Sequence, residues 1–435
     1  MLPSRMGTPP TVVREGVMRF VHAADIHLDS PLQNLALQDT DKITKVRRAC
    51  RDAFEDMIDF CIDREVSFLV LAGDLYDGDN ANMQVAVFFR QQLRKLEQAG
   101  IRVIIKKGNH DAANPITSDL GLPKNTHIFR EDRPETVRFE ELRVAFHGQS
   151  FRPGQITENL AAGYPRPVPG WLNIGVLHTS LAGNALHDPY APCRLEDLTS
   201  RGYAYWALGH IHKGGVLANA PWVVYSGNIQ GRDVRETGPK GCFLVQTEDD
   251  RVLSAQHVAF DVVRWHQADV DLDGATRQED LIERVRASLQ EARRQAQGRP
   301  CVVRIRFTGR TELHALIGAY PNKLRHMFAD LANEIAMDEI WIEKIRNDTQ
   351  PARPRPADGG NETVSELIRL MHEIASDAAS IGPALEKELT PLKAKLPEGL
   401  KELPALDLLA DPGRVREALL RLEPRIAARL AGEEV

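Results

Sequence analysis

Phe68-Leu69-Val70-Leu71-Ala72-Gly73-Asp74 is an unbroken apolar run that ends abruptly in a glycine and a carboxylate. Such a run predicts a strand that is buried on both faces, as in a parallel sheet. Ligands of open α/β sheets bind outside the carboxyl ends of the strands, and Asp74 stands at such an end. The stretch therefore predicts a parallel sheet with Asp74 at its binding edge.

Other strand-like runs in the chain also end in side chains that can bind metals. The side chains that follow these runs are Asp25 and His27, Asn109, His178, and His210 and His212. If the strand ends meet, their oxygen and imidazole ligands form a cage in which Asp74 bridges two metal ions. Ligands of this kind, without thiolate, suit manganese, iron or zinc, and manganese is our first expectation. Two such ions about 3.5–4 Å apart can activate a bridging water and hold the oxygens of a phosphoryl group.

Each of these motifs is weak evidence when it is taken alone. Asp25-x-His27 is more often a cap or a hydrogen-bonded polar pair than a metal site. Gly108-Asn109 favours a turn, because both residues readily adopt turn conformations. His-x-His pairs are common on sheet faces. Four ligand-bearing strand ends in this order, those at Asp25, Asp74, Asn109 and His210, rarely arise by accident, so the set as a whole predicts a two-metal centre.

The composition is that of an ordinary globular chain. It has 435 residues, 43% hydrophobic and 27% charged, which allows two or three domains. The net charge of -6 neither supports nor excludes nucleic-acid binding, since an acidic protein can carry a locally basic cleft. Five scattered cysteines without a Cys-x-x-Cys pair predict reduced thiols. No apolar run is long enough to span a membrane and the N-terminus lacks a signal-peptide core, so we expect a cytoplasmic protein.

The pattern of strands and helices divides the chain into five segments. The opening β-α-β-α-β pattern predicts a parallel sheet with right-handed crossovers. Short β-like runs after residue 111, such as 142–146 and 203–208, predict a second, more antiparallel sheet packed on the first. From residue 262, strands and helices alternate again, which suggests a small α+β domain. The expected segments are a disordered tail at 1–17, the main domain at 18–261, the small domain at 262–346, a Pro-rich linker at 347–362, and C-terminal helices at 363–435.

Together these motifs resemble the signature of the calcineurin-like metallophosphoesterases. The resemblance rests on Asp25-x-His27, Gly73-Asp74, Gly108-Asn109-His110-Asp111, His178 and Gly209-His210-x-His212. A narrower likeness is to the nuclease subunit of SbcCD-type DNA repair exonucleases, in its YhaO-like branch. It rests on His22-Ala23-Ala24-Asp25-Ile26-His27-Leu28, Tyr190-Ala191-Pro192-Cys193 and Tyr225-Ser226-Gly227-Asn228-Ile229-Gln230-Gly231-Arg232. It covers residues 18–260 well and the rest only in layout. The resemblance implies an α/β fold, namely a four-layer α/β/β/α sandwich with a small α+β capping domain and a C-terminal helical segment.

The resemblance also implies a role for each site residue. It assigns one metal ion to Asp25, His27, Asp74 and His212, and the other to Asp74, Asn109, His178 and His210. In this pattern His110 is not a ligand but faces the scissile phosphate, where it donates a proton or stabilises the leaving oxygen, and Asp111 orients it. The candidate substrate contacts are Asp29, Tyr76 and Arg232. No ligand position is substituted, which argues against an inactive scaffold.

The leading interpretation is a metal-dependent DNA phosphodiesterase that acts in DNA repair. We expect an exonuclease and leave endonuclease activity open. The attacking group would be a hydroxide activated by two metal ions. The resemblance implies DNA and a coiled-coil ABC-class ATPase as partners, with 262–346 as the DNA-binding cap and 363–435 as the ATPase-docking candidate. A homodimer is left open, and no membrane partner is expected. The alternatives are a small-molecule phosphodiesterase or protein phosphatase on the same core, or an adaptor for the ATPase. The extra domain favours DNA, and the intact ligand set disfavours the adaptor.

Overall fold

The computed structural model describes seven stretches of the chain and five single residues, four of them near the C-terminus. These are residues 17–30, 39–77, 83–112, 121–152, 154, 156–181, 190–352, 362–377, 413, 416, 422 and 426. The tail expected at 1–17 lies outside the described residues except for Val17, which begins the first strand. Most of the segment 363–435 also lies outside them. The chain divides into two compact units. The first comprises Met1–His266 and Gln295–Val302, and the second comprises Gln267–Arg294 and Val303–Val435.

The first unit contains two six-stranded sheets. Its strands are β1 (Val17–Ala23), β2 (Phe68–Leu71), β3 (Arg102–Ile105), β4 (Thr126–Ile128), β5 (Glu135–Phe139), β6 (Val144–Gly148), β7 (Leu172–His178), β8 (Tyr205–Gly209), β9 (Gly215–Asn219), β10 (Trp222–Tyr225), β11 (Gly241–Glu248) and β12 (Arg251–Ala259). Its helices are α1 (Thr40–Asp63), α2 (Met83–Gln98), α3 (Asn109–Ala112) and α4 (Leu195–Thr199), with 3₁₀ turns at Glu140–Leu142 and Leu160–Gly163. The spatial order is β12-β11-β1-β2-β3-β4 in one sheet and β5-β6-β7-β8-β10-β9 in the other.

The strands that precede the predicted ligands run parallel to one another. In the first sheet β1, β2 and β3 are parallel, with Phe20 opposite Phe68 and Leu71 opposite Ile105. In the second sheet β7 is parallel to β8, with His178 opposite Gly209. The carboxyl ends of parallel strands meet at one edge of their sheet, so each sheet gathers its ligand-bearing loops at a single edge.

Three apolar layers hold the sheets and helices of this unit together. On the outer face of the first sheet, Phe54 of α1 and Phe89 of α2 are buried with their rings 5.7 Å apart. Between the sheets, Phe20 stacks on Phe68 with ring centroids 4.7 Å apart. On the outer face of the second sheet, the buried indole of Trp206 donates a hydrogen bond to a backbone carbonyl of α4. These layers confirm the predicted α/β/β/α sandwich.

The second unit is a small α+β structure with a three-stranded sheet of order β13-β14-β16. The elements in this part of the chain are β13 (Arg264–Asp271), α5 (Gln278–Ala296), β14 (Cys301–Thr308), β15 (Arg310–Thr311), α6 (His314–Ala319), α7 (Pro321–Ile335), β16 (Ile340–Asn347), β17 (Gln350–Pro351) and α8 (Glu362–Ser376). Helices α5 and α7 bury apolar stripes that include Leu281, Leu289 and Phe328. Within the described residues, every helix is too short or too polar to cross a membrane.

The second sheet differs from the expectation drawn from the sequence. It was expected to be more antiparallel than the first, but each sheet has two antiparallel and three parallel strand pairs among the described residues. Crossovers rather than hairpins join β6, β7 and β8, and this makes the centre of the sheet parallel. The strand expected at 142–146 begins at Val144, because Leu142 lies in a 3₁₀ turn. The strands β4 and β9 were not predicted.

Candidate metal centre

The predicted ligands lie at the carboxyl ends of five strands. They are Asp25 and His27 after β1, Asp74 after β2, Asn109 after β3, His178 at the end of β7, and His210 and His212 after β8. The loops after β1 and β2 are joined through their backbones, since Asp25 N–H donates to the carbonyl of Gly73 (2.9 Å) and His27 N–H to that of Asp74 (3.0 Å). The fold thus brings ligands that are distant in the sequence to one place.

Four of these loop residues have left-handed backbone conformations, which residues other than glycine rarely adopt. The angle φ is 51° for Asp25, 47° for His27, 53° for Asp74 and 98° for His210. Residues in such conformations persist where the surrounding structure holds them, and they cluster at functional sites. The sharp turn at Asp25 and His27 allows two side chains that are two residues apart to reach the same place.

Asp25, His27 and His212 form the first ligand group, with one ligand atom of each within 4.8 Å of the others. The Nε2 atoms of His27 and His212 face each other at 3.2 Å. Nδ1 of His212 lies 2.6 Å from a carboxylate oxygen of Glu236, so it carries the proton and leaves Nε2 with a lone pair. The lone pair on Nε2 of His212 thus points at Nε2 of His27, and the carboxylate of Asp25 lies beside both rings. These three side chains could bind one cation together.

Asp25, Asp74 and His178 form the second ligand group, and Asn109 lies next to it. Nδ1 of His178 donates to the carbonyl of Ala72 at 2.9 Å, so in the neutral ring the lone pair is on Nε2. That lone pair faces the amide oxygen of Asn109 at 3.0 Å and Oδ2 of Asp74 at 3.3 Å. Burial lowers the pKa of His178, but the Asp74 carboxylate outweighs burial and raises this pKa, so a cation is favoured between the ring and the two oxygens. With the ring neutral, the three atoms are all acceptors and fit a divalent cation.

The electrostatics of the cage support the same assignment. Burial raises the pKa of the Asp74 carboxyl, but the neighbouring histidines, His178 foremost, outweigh burial, and the pKa lies well below its usual value. Asp74 is therefore an anion at neutral pH. Burial lowers the pKa of His27, which keeps this imidazole neutral and able to bind a metal. The cage thus presents an ionised carboxylate together with a neutral imidazole.

His210 is placed beside the second ligand group. Its backbone N–H donates to both carboxylate oxygens of Asp25, at 3.0 and 3.1 Å. Its ring lies next to that of His178, with centroids 5.2 Å apart. The ring therefore stands at the cage, and its role as a ligand stays a prediction.

Gly108 fits the cage because it has no side chain. A Cβ atom at this position would lie 2.1 Å from Oδ1 and 2.6 Å from the backbone nitrogen of Asp74. The backbone of the Gly108-Asn109 turn can therefore approach the Asp74 carboxylate only if residue 108 is glycine.

Gly108→Ala is expected to displace Asp74 and to lower both stability and bound metal. Overpacking of this kind typically costs about 1–3 kcal/mol of folding free energy. Chemical unfolding and metal analysis would measure the two effects. Gly215→Ala is the matched control, since nothing lies within 4 Å of its Cβ position. Full metal occupancy in the Gly108 variant would show that the turn can move away without harm.

The structure corrects two of the predicted site roles. Asp111 does not orient His110, because its carboxylate accepts the backbone N–H groups of Leu75 (2.8 Å), Tyr76 (3.1 Å) and Gly108 (2.9 Å). It is a structural anchor for the loops after β2 and β3. The prediction that Tyr76 contacts substrate is also wrong, because the side chain is buried in the core of the first unit.

The two other candidate substrate contacts have different surroundings. Two nitrogen atoms of Arg51, on α1, donate to the two carboxylate oxygens of Asp29. Asp29 would have to give up this ion pair to bind substrate, so its role stays a prediction. Arg232 is partly exposed and lies 3.3 Å from Nδ1 of His212, at the edge of the cage.

Sequence reasoning missed two carboxylates around the cage. Asp77 lies 3.4 Å from Nδ1 of His110 and 3.6 Å from Nδ1 of His27. Its position three residues after Asp74 was the only signal. Glu236 contacts His212 from 24 residues away in the sequence, and no local motif marks it.

The sequence matches two family profiles. Residues 18–214 match the calcineurin-like phosphoesterases, and residues 265–350 match the middle domain of metallophosphoesterase YhaO. The chain is 34% identical over 337 residues to the Bacillus subtilis metallophosphoesterase YhaO, a match that covers 77% of this chain and 82% of that protein. It is 26% identical over 304 residues to the DNA double-strand break repair protein Mre11 of Methanopyrus kandleri, which covers 62% of each. A solved dimetal phosphatase from Danio rerio matches at 14% identity with a TM-score of 0.36, over 56% of this chain and 97% of that one.

A two-sheet sandwich that gathers Asp, Asn and His side chains at the ends of its strands is the arrangement of a metal-dependent phosphoester hydrolase. The chain belongs to the calcineurin-like metallophosphoesterase family, and its similarity to YhaO extends over most of its length. The similarity to Mre11 is more distant. The family expected from the sequence motifs is thereby confirmed.

Proposed function

We propose that this protein is a phosphodiesterase that cleaves DNA with the help of two divalent metal ions. The observation that carries the proposal is the convergence of the amide oxygen of Asn109 and the carboxylate of Asp74 on His178 Nε2, at 3.0 and 3.3 Å, at the strand ends. The distant similarity to Mre11, a DNA double-strand break repair protein, supports DNA as the substrate. Manganese is the first candidate for the ions because the ligands are oxygen and imidazole without thiolate.

The residues around the cage have distinct tasks in this proposal. Asp25, His27, Asp74, Asn109, His178, His210 and His212 would hold the ions. When bound, the ions would stabilise charge on the phosphoryl oxygens and make an attacking water more acidic. His110 stands at the rim, since its backbone N–H donates to Asp74 Oδ1 (3.1 Å) and its side chain is 40% exposed. Its ring can give a proton to the leaving oxygen, and the guanidinium of Arg232 can contact a phosphate.

The expected partners remain proposals. Helix α8 buries Met371 and Ala375 and exposes Leu367 and Leu370, so an apolar strip faces outward at the start of the segment proposed to dock on an ATPase. The sheet of 262–346, the segment proposed to bind DNA, carries arginines that are paired with carboxylates. There Arg304 pairs with Glu343 at 2.8 Å, so this cation is already balanced.

Purified protein is expected to cleave DNA and bis-p-nitrophenyl phosphate in the presence of Mn²⁺. The test compares linear double-stranded DNA, single-stranded DNA, this diester and the monoester p-nitrophenyl phosphate, each with Mn²⁺ and with EDTA. Turnover of the two DNA substrates and of the diester should vanish in EDTA and return when Mn²⁺ is restored.

The same assay separates the competing functions. Turnover of the small diester without cleavage of DNA would favour a small-molecule phosphodiesterase. Turnover of the monoester alone would favour a phosphatase. Bound metal without turnover of any substrate would favour the adaptor.

A further inference from the structure

Both histidines of the first ligand group have a carboxylate behind them. Oε1 of Glu236 lies 2.6 Å from Nδ1 of His212, within hydrogen-bond distance. Oδ1 of Asp77 lies 3.6 Å from Nδ1 of His27, slightly too far for a direct hydrogen bond. Arg232 lies between the two carboxylates, 3.3 Å from Glu236 and 3.5 Å from Asp77. The outer side of this group is therefore a network of charged side chains.

The histidine of the second ligand group has a different environment. Nδ1 of His178 donates to the backbone carbonyl of Ala72, which carries no formal charge. A carboxylate that accepts the N–H of a metal-bound imidazole raises the basicity of the nitrogen that binds the metal more than a backbone carbonyl does. The carboxylate also adds a negative charge near the ion. The two ligand groups therefore have unequal surroundings.

Glu236 itself is held in place by several hydrogen bonds. Its second oxygen accepts from the side-chain amide of Asn228 and from the backbone N–H of Arg232, both at 2.8 Å. The same segment also fixes the backbone of His212, whose carbonyl accepts from Nζ of Lys240 at 2.8 Å. The carboxylate therefore has little freedom to turn away from the imidazole.

We propose that Glu236 is a positioning residue of the metal centre. It fixes the tautomer and direction of His212, and it thereby gives the first ligand group a higher affinity for a divalent cation than the second. Glu236 acts through His212 and contacts no substrate. This inference rests on the proposed function, since it concerns the metal centre on which that function depends.

The test is a titration of the metal-free protein with Mn²⁺, measured by isothermal titration calorimetry. Metal analysis after dialysis then gives the number of ions that stay bound. The unmodified protein should show two binding sites of unequal affinity. In Glu236→Gln the tighter site should weaken by about 10–100-fold, while the other site changes little. Glu236→Asp keeps the charge, so it should recover part of the affinity. If Glu236 were merely structural, the affinity of the tighter site would not fall in the order unmodified protein, Glu236→Asp, Glu236→Gln.

Asp233→Asn is the matched control. It removes a carboxylate from the same segment, but Asp233 pairs with Arg235 rather than with a histidine. Its two affinities should equal those of the unmodified protein, and thermal melting in EDTA verifies that all variants are folded.

Two results would overturn the inference, namely unchanged affinities in Glu236→Gln or equal weakening of both sites. Metal binding without DNA cleavage in the unmodified protein would instead contradict the proposed function alone, and the titration would still decide the role of Glu236.

Discussion

Asp74→Ala is expected to reduce cleavage by about 10³-fold or more and to empty both metal positions. Oδ2 of Asp74 lies 3.3 Å from Nε2 of His178 and 3.9 Å from Nε2 of His27, so one carboxylate reaches both ligand groups. Metal ions contribute several kcal/mol of transition-state stabilisation, and about 4 kcal/mol corresponds to 10³-fold in rate. Metal analysis after dialysis and initial rates on bis-p-nitrophenyl phosphate would measure the two losses.

The control for this substitution is Asp59→Ala. Asp59 is an exposed carboxylate of the same unit that pairs with Lys95 at 3.3 Å, so its loss should alter neither metal content nor rate. Circular dichroism of the metal-free proteins would separate loss of metal from loss of fold. Two ions that remain bound to Asp74→Ala would show that this carboxylate is not the bridge.

His110→Ala is expected to keep both metal ions and to slow DNA cleavage by about 10²–10⁴-fold, the usual contribution of a general acid or base. Its backbone N–H donates to the cage carboxylate Asp74, and alanine keeps that hydrogen bond, while its ring lies edge-on to that of His27 with centroids 5.3 Å apart. The ring, partly exposed beside Asp77, is free to reach a leaving oxygen. A nitrophenyl ester should lose less rate than DNA, because its leaving group needs less protonation.

His127→Ala provides a histidine in similar surroundings but outside the cage. His127 lies on the edge strand β4 and is 39% exposed. Its Nε2 lies 3.1 Å from the carboxylate of Glu135. Its removal should leave the rates on DNA and on the nitrophenyl ester unchanged. Loss of metal from His110→Ala, with a normal rate per occupied site, would instead identify His110 as a ligand.

Local patterns were sufficient for the parts of the molecule that depend on neighbouring residues. The apolar run before Gly73 became the buried strand β2, and the opening β-α-β-α-β pattern became β1, α1, β2, α2 and β3. Asp74 and the other candidate ligands directly follow or end such strands. The parallel strands of each sheet then place its ligands at one edge of that sheet, so short motifs were enough to indicate a candidate cage.

The surroundings of the cage could not be predicted in the same way. Glu236 reaches His212 only because the segment between β10 and β11 folds back, and nothing near Glu236 in the sequence states this. Tyr76 was misread because a tyrosine after a strand can face either the core or the cleft, and packing against Phe89 decides between them. The direction of the second sheet depended on crossovers, which strand patterns alone do not reveal.

The left-handed conformations of Asp25, His27, Asp74 and His210 also affect how the protein can evolve. Conformations of this kind cost about 1–3 kcal/mol each, and glycine would adopt them at little cost. Selection for thermal stability alone would therefore tend to remove these side chains. The family can keep its chemistry only under continuous selection for activity, and a descendant freed from that selection would drift toward a more stable protein without a metal centre.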